Sequence, residues 1–173
     1  MSSSSLTIFA LCLLSGLLFP GGQSLAAEQS VNLPVPFTPE APDGLMIKPW
    51  NNSCEEASTV MLDEYYKGNT QKTIHKGTAK TAILNYVATE NKIFGYNANT
   101  NAAEIAKLVN EYSKNFEASI KTNPTLEEIK AELSASRPVF ALLYGYNLHN
   151  PRIQFARNGS STHFVKLSFS SSE

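Results

Sequence analysis

The stretch PWNNSCEEASTVMLDEYY, residues 49–66, contains a single cysteine, and the residue types around it define one kind of chemistry. The chain has two cysteines, Cys12 and Cys54. Cys12 lies in an N-terminal apolar run that reads as a removable leader, which leaves Cys54 with no cysteine to pair with. An unpaired thiol in an oxidising compartment is a liability, and its presence implies either burial or use. Cys54 sits at the expected start of a helix, where free backbone N–H groups and the helix dipole favour a thiolate. Glu55 and Glu56 act in the opposite sense, because neighbouring carboxylates disfavour another negative charge. An activated Cys54 therefore needs a cationic partner, typically an imidazolium. The competing reading is an inert buried thiol packed beside Ala57 and Met61.

Three histidines are available. His75 falls in the polar stretch KTIHKGTAK and reads as a surface residue. His149 falls in a loop. His163 follows a long loop and opens a strand, a common place for a base held on a rigid scaffold. It comes 109 positions after Cys54. A helix-terminal cysteine early and a strand-borne histidine late is the chain order of papain-type thiol enzymes. In that chemistry the histidine takes the thiol proton and later protonates the leaving group. One cysteine and scattered histidines match no zinc spacing, and no cofactor is called for.

The elements that must position these groups follow from periodicity. Residues 28–52 include LPVPFTPEAPDG, whose four prolines withhold N–H donors and discourage regular structure. Val35 and Phe37 can still form a short edge strand. A first helix is expected from Cys54, with Asn52 or Ser53 as cap and Glu55 and Glu56 as favourable first-turn charges. Ala57, Val60, Met61 and Tyr65 form its apolar face, and Gly68-Asn69 stops it. Residues 79–88 read as a second helix with Ala79, Ala82, Ile83, Tyr86 and Val87 inward. A third spans 100–115, with Ile105, Leu108, Val109 and Tyr112 on one face. A fourth runs from Thr125 to about Ala135, opened by a capping box of Thr125 and Glu128. Then VFALLYGY, residues 139–146, suits a buried strand. A loop with Asn147, Asn150-Pro151 and Asn158-Gly159 leads to His163 and FVKLSF, whose alternation reads as another strand. Helices followed by strands indicate one α+β domain.

The chain has 173 residues, with 14 basic and 15 acidic side chains and a formal net charge of −1. No basic patch with interleaved aromatics points to nucleic acid. Leu6 to Phe19 is a near-continuous apolar run, too short to span a bilayer comfortably. Pro20, Gly21 and Gly22 follow, then Ser24-Leu25-Ala26-Ala27, the order of a secretory signal with its cleavage site at Ala26 or Ala27. The alternative is an uncleaved membrane anchor. Residues 28–173 then form one domain of about 146 residues, enough for a real core. The expected location is outside the cytoplasm, with no membrane contact after signal removal. Oligomeric state is not legible.

Four stretches in order carry a resemblance. They are LPVPFTPEAP (33–42), SCEEAS (53–58) followed by MLDEYYKG, TLEEIKAELSASRPVFAL (125–142) and NPRIQFARNGSSTHFVKL (150–167). On these the chain resembles the bacterial family-thirty-nine-like cysteine peptidases, relatives of the peptidases that trim bacteriocin leaders, and more closely their stand-alone exported branch. The resemblance implies a papain-like fold with helices packed on a small antiparallel sheet. It implies Cys54 as nucleophile, His163 as base and a peptide or protein as substrate. The oxyanion position, usually Gln, matches Glu40 here. A carboxylate donates no hydrogen bond, so Glu40 helps only when protonated, or else backbone N–H groups such as that of Cys54 carry the role. The resemblance also implies an Asp in a turn fifteen or more residues after the histidine. The chain ends at Glu173, ten residues after His163, and the last strands are expected to be missing.

The leading expectation is a secreted thiol hydrolase that cleaves peptide or amide bonds through a thioester on Cys54. The rival is a catalytically inactive peptide- or cell-wall-binding module on the same scaffold. A transglutaminase- or amidase-like enzyme shares the thiol chemistry. A glycosidase reading is weaker, because Glu55, Glu56, Glu127 and Glu128 are more simply cap and surface charges. Trp50, Tyr65, Tyr144 and Tyr146 are candidates to line a pocket, although packing is the more usual role of such aromatics.

Overall fold

The computed structural model describes residues 30–97, 100–144 and 162–166. Four helices and one strand pair follow in chain order: α1 (Cys54–Tyr66), α2 (Lys76–Phe94), α3 (Ala102–Tyr112), α4 (Leu126–Ser134), β1 (Phe140–Tyr144) and β2 (Thr162–Lys166). This is an α+β chain with its helices first, as the periodicity predicts. Helix α1 packs on α2 and runs alongside β2, and α2 packs on α3.

Helix α1 is the centre of the fold. Six consecutive residues, Glu55 to Val60, are buried, so neighbouring elements cover α1 around most of its first two turns. Its end is built by Gly68 at φ 79°, a left-handed conformation that glycine adopts without strain. There the Gly68 N–H donates to Tyr65 O at 2.9 Å and the Asn69 N–H to Glu64 O at 3.0 Å. That pair of bonds is a Schellman stop, at the predicted place.

The main core joins Ala57 and Val60 of α1 to Ala79, Ile83, Tyr86 and Val87 of α2 and Leu108 of α3. Tyr86 meets Tyr112 edge to face, with ring centroids 4.7 Å apart. Trp50 is buried in this core, so it packs and does not line a pocket. Helix α2 extends beyond the predicted 79–88 at both ends, because Gly95 at φ 80° is the first residue to break it. Helix α3 is shorter than predicted. Asn101 caps it, accepting from the Ala103 and Glu104 N–H groups, while Glu104 accepts from the Asn101 N–H. The capping box of α4, Thr125 with Glu128, forms as its spacing predicts.

Two local expectations fail. Phe37 makes only an isolated parallel bridge to Thr73, because the prolines on both sides of Val35 remove ladder donors. Residues 139–142, the part of the 139–146 run whose side chains are described, are only partly buried or exposed. Alternate strand residues share a face, and the helices cover that face at Phe140, which packs with Ile105 and Val109. They leave Leu142 41% exposed. β1 and β2 pair antiparallel, with Phe140 opposite Lys166 and Leu143 opposite His163.

Candidate active site

Cys54 is the first residue of α1 and is half-buried. A single 3-10 turn, Trp50–Asn52, delivers the chain to it. Neither predicted cap serves α1 with its side chain. The Ser53 hydroxyl donates back to Pro49 O at 2.9 Å and gives no cap bond to the helix. Cys54 packs against Ile105 and Val109 of α3 and Phe140 of β1. Its Sγ donates to Glu55 Oε2 at 2.9 Å. Burial pushes the thiol pKa far up, and the charge of Glu55, its hydrogen bond and the charges of Glu40 and Glu56 add to that. At this helix start burial, and then the carboxylates, act against the helix dipole.

Glu55 and Glu56 are not the surface charges that a first-turn position suggests. They are 2% and 1% exposed. The cause is the central placement of α1, which buries every residue from Glu55 to Val60. Each carboxylate is bound instead to the chain that joins α2 to α3. Glu55 Oε1 accepts the Thr100 N–H at 3.1 Å. Glu56 Oε1 accepts from Asn97 Nδ2 at 2.7 Å, and the same nitrogen gives 2.6 Å to Glu90 Oε2 of α2. Burial raises the pKa of Glu55, partly offset by the bonds from Cys54 and Thr100. Burial and then Glu90 push that of Glu56 to about 10.

Glu40 lies close enough to Cys54 for its charge to bear on the thiol. Half-burial and the charge of Glu55 raise its own pKa. The structure thus brings Glu40 and Cys54 together. His163 is the second residue of β2, opposite Leu143 on a strand that runs beside α1; its side chain lies outside the described residues. So do residues 1–27 with Cys12, residues 145–161 with Tyr146, Asn147, His149, Asn150-Pro151 and Asn158-Gly159, the side chain of Tyr144, and Glu173. His75 is exposed, as expected. Tyr65 lines a shallow depression of about 380 Å³ with Tyr66, Pro34 and Ser136. That depression is at the C-terminal end of α1, away from Cys54.

Among the described residues, no group of three or more His, Cys, Asp or Glu side chains is placed to hold a metal ion. None of their helices is long and apolar enough to cross a membrane.

Sequence reasoning missed Glu90, Asn97 and Thr100. One signal was available. Glu90 falls four residues after Tyr86 and three after Val87, on the inward face of α2, and Glu56 falls four before Val60. A carboxylate in register with core residues on two neighbouring helices is a sign of a buried polar contact. Asn97 and Thr100 carry no such pattern, because they lie in irregular chain.

The family model of the Peptidase_C39 like family matches residues 32–172. No curated protein and no solved structure shows significant similarity to the chain.

Proposed function

The chain belongs to the Peptidase_C39 like family, and from that premise we propose that it is an exported cysteine peptidase of papain-like fold, with Cys54 as nucleophile and His163 as base. The family supports a peptidase-like domain and a peptide or protein substrate. The reading is carried by one observation: Cys54 opens α1 and β2, the strand of His163, runs alongside that helix. In this mechanism His163 accepts the thiol proton, and the thiolate attacks the scissile carbonyl. The amine leaves with the proton from His163, and water then releases the acyl group from the Cys54 thioester. Glu40 stands beside the thiol with a raised pKa. In its protonated form it donates a hydrogen bond to the developing oxyanion, as the Cys54 N–H does. Residues 1–27 act as the export signal, and 28–173 form the single domain.

The test is hydrolysis of a mixed fluorogenic peptide library by the wild type, C54S and H163A. Cleavage by the wild type that is lost in both variants is expected. No cleavage by the wild type, or cleavage that survives C54S, refutes the reading. A second reading is favoured by the carboxylates that hold the thiol protonated. It is a catalytically inactive peptide- or cell-wall-binding module on the same fold, and it predicts peptide binding that C54S leaves intact.

A further inference from the structure

The pair Glu56 and Glu90 is not used by that mechanism. The two carboxyl groups come from different helices, and each is 1% exposed. Both accept from the single nitrogen Asn97 Nδ2, at 2.7 and 2.6 Å. Their other oxygens, Glu56 Oε2 and Glu90 Oε1, are buried with no donor among the described residues. One amide group cannot neutralise two carboxylates, and two buried like charges in contact do not both ionise. The donor that resolves this is a proton held between the two side chains, which meet at the same Asn97 nitrogen.

We propose that Glu56 and Glu90 share one proton and form a proton-operated latch that fixes the first turn of α1 to α2 and to the chain entering α3.

The placement gives the latch its consequence. Gly95 ends α2 in a left-handed conformation, and the chain turns so that Asn97 reaches both glutamates. Three residues later the Thr100 N–H is held by Glu55, the residue that also accepts the Cys54 thiol proton. With the shared proton present, Asn97 bridges one acid and one carboxylate. Without it, two buried anions face each other, and the hold of Asn97 on α1 and α2 is weakened. The latch therefore positions the turn that carries Cys54, whatever that residue acts on.

Other charges shift its titration. On α1, Glu55 raises the pKa of Glu56, and the charge of Glu56 is felt at Cys54. Glu40, from the segment before α1, reaches Cys54 as well. After α2, Tyr96 feels Glu90 and donates to Glu104 of α3 at 2.6 Å. From the sheet, β2 brings the positions of His163 and Lys166 beside α1. The described neighbours are mostly acidic, which keeps the shared proton bound to higher pH.

The sign follows from linkage. Unfolded, Glu56 ionises near the ordinary glutamate value of about 4.3. Folded, burial and the neighbouring Glu90 carboxyl hold its pKa well above that value. Between these limits the native chain binds one more proton than the unfolded chain, so this pair's contribution to stability is greatest at low pH and is lost as pH rises.

The experiment is urea unfolding of the full chain and of its E56Q and E90Q variants, at about pH 5 and about pH 8. One proton changes the unfolding constant by up to tenfold per pH unit. The variants carry the missing hydrogen covalently, so their unfolding constant relative to wild type is expected to fall by about tenfold or more from the lower to the higher pH. A ratio that is the same at both pH values for both variants overturns the proposal. An infrared titration of the wild type guards against a variant that does not fold. A protonated-carboxyl carbonyl band that persists at about pH 7 and disappears in alkali supports the latch; its absence at about pH 7 overturns it.

Discussion

Replacing Glu55 by Gln makes Cys54 more reactive. The thiol donates to Glu55 Oε2 at 2.9 Å, so its ionisation places a second negative charge beside the carboxylate. At a separation of about 4 Å and an effective dielectric constant near 20, two unit charges repel by about 4 kcal/mol. That equals about 3 units of thiol pKa. Cys54 is half-buried, and solvent on its open side cuts the effect to about 1.5 to 3 units. Gln is isosteric, its oxygen still accepts the Thr100 N–H, and its NH2 group donates to a thiolate. The fold is therefore kept while the charge is removed. The assay is the rate of iodoacetamide alkylation against pH in a Cys12→Ser background, which leaves one thiol. Below the thiol pKa the rate follows the thiolate fraction, so 1.5 units correspond to about a thirtyfold rise at fixed pH. A rate within about twofold of the parent across the whole range refutes the argument, because it means the carboxylate charge does not govern the thiol.

Glu40→Gln removes a charge that bears on Cys54 less than Glu55 does, so the same alkylation profile shifts in the same direction by a smaller amount. Asp63 accepts from Ser113 and Asn115, both at 2.8 Å, and ties α1 to the chain after α3. Burial alone would raise its pKa, but those bonds and Lys67 hold it below the ordinary value, so D63A is expected to lose about 1–2 kcal/mol in urea unfolding near neutral pH. That loss shrinks as pH falls through the lowered pKa, where the wild-type carboxylate is itself protonated. Ile83 has no exposed surface, and I83A is expected to lower unfolding free energy by about 2–5 kcal/mol.

The sequence was most legible where local rules act alone. The Thr125–Glu128 box and the Gly68-Asn69 stop each depend on a few adjacent residues, and both form where they were expected. The inward faces of α2 and α3 were also readable, because Ile83, Tyr86, Leu108 and Val109 repeat at helical spacing and are buried. Of the candidate site, the place of Cys54 at the first position of α1 was legible. First-turn glutamates normally meet solvent and the helix dipole, and that rule assigned Glu55 and Glu56 to the surface. It failed because α1 is enclosed by elements distant in sequence, and no local pattern reports enclosure. Ser53 failed as a cap for a similar reason: the preceding turn presents Pro49 O to its hydroxyl.

The buried acids change what the helix start does at Cys54. An α-helix N-terminus stabilises a nearby anion by about 0.3–1 kcal/mol when exposed and up to about 2 kcal/mol when partly buried. Burial opposes the thiolate most, and the charges of Glu55, Glu40 and Glu56 act in the same direction. A resting thiol follows from this balance, with its proton on sulfur and pointed at Glu55. Activation then requires either an imidazolium strong enough to offset the carboxylates or loss of charge at Glu55. The two routes separate in His163→Ala combined with Glu55→Gln. If the imidazolium is required, H163A lowers the alkylation rate whichever residue is at 55. If charge at Glu55 is the whole barrier, E55Q restores the rate even in the absence of His163.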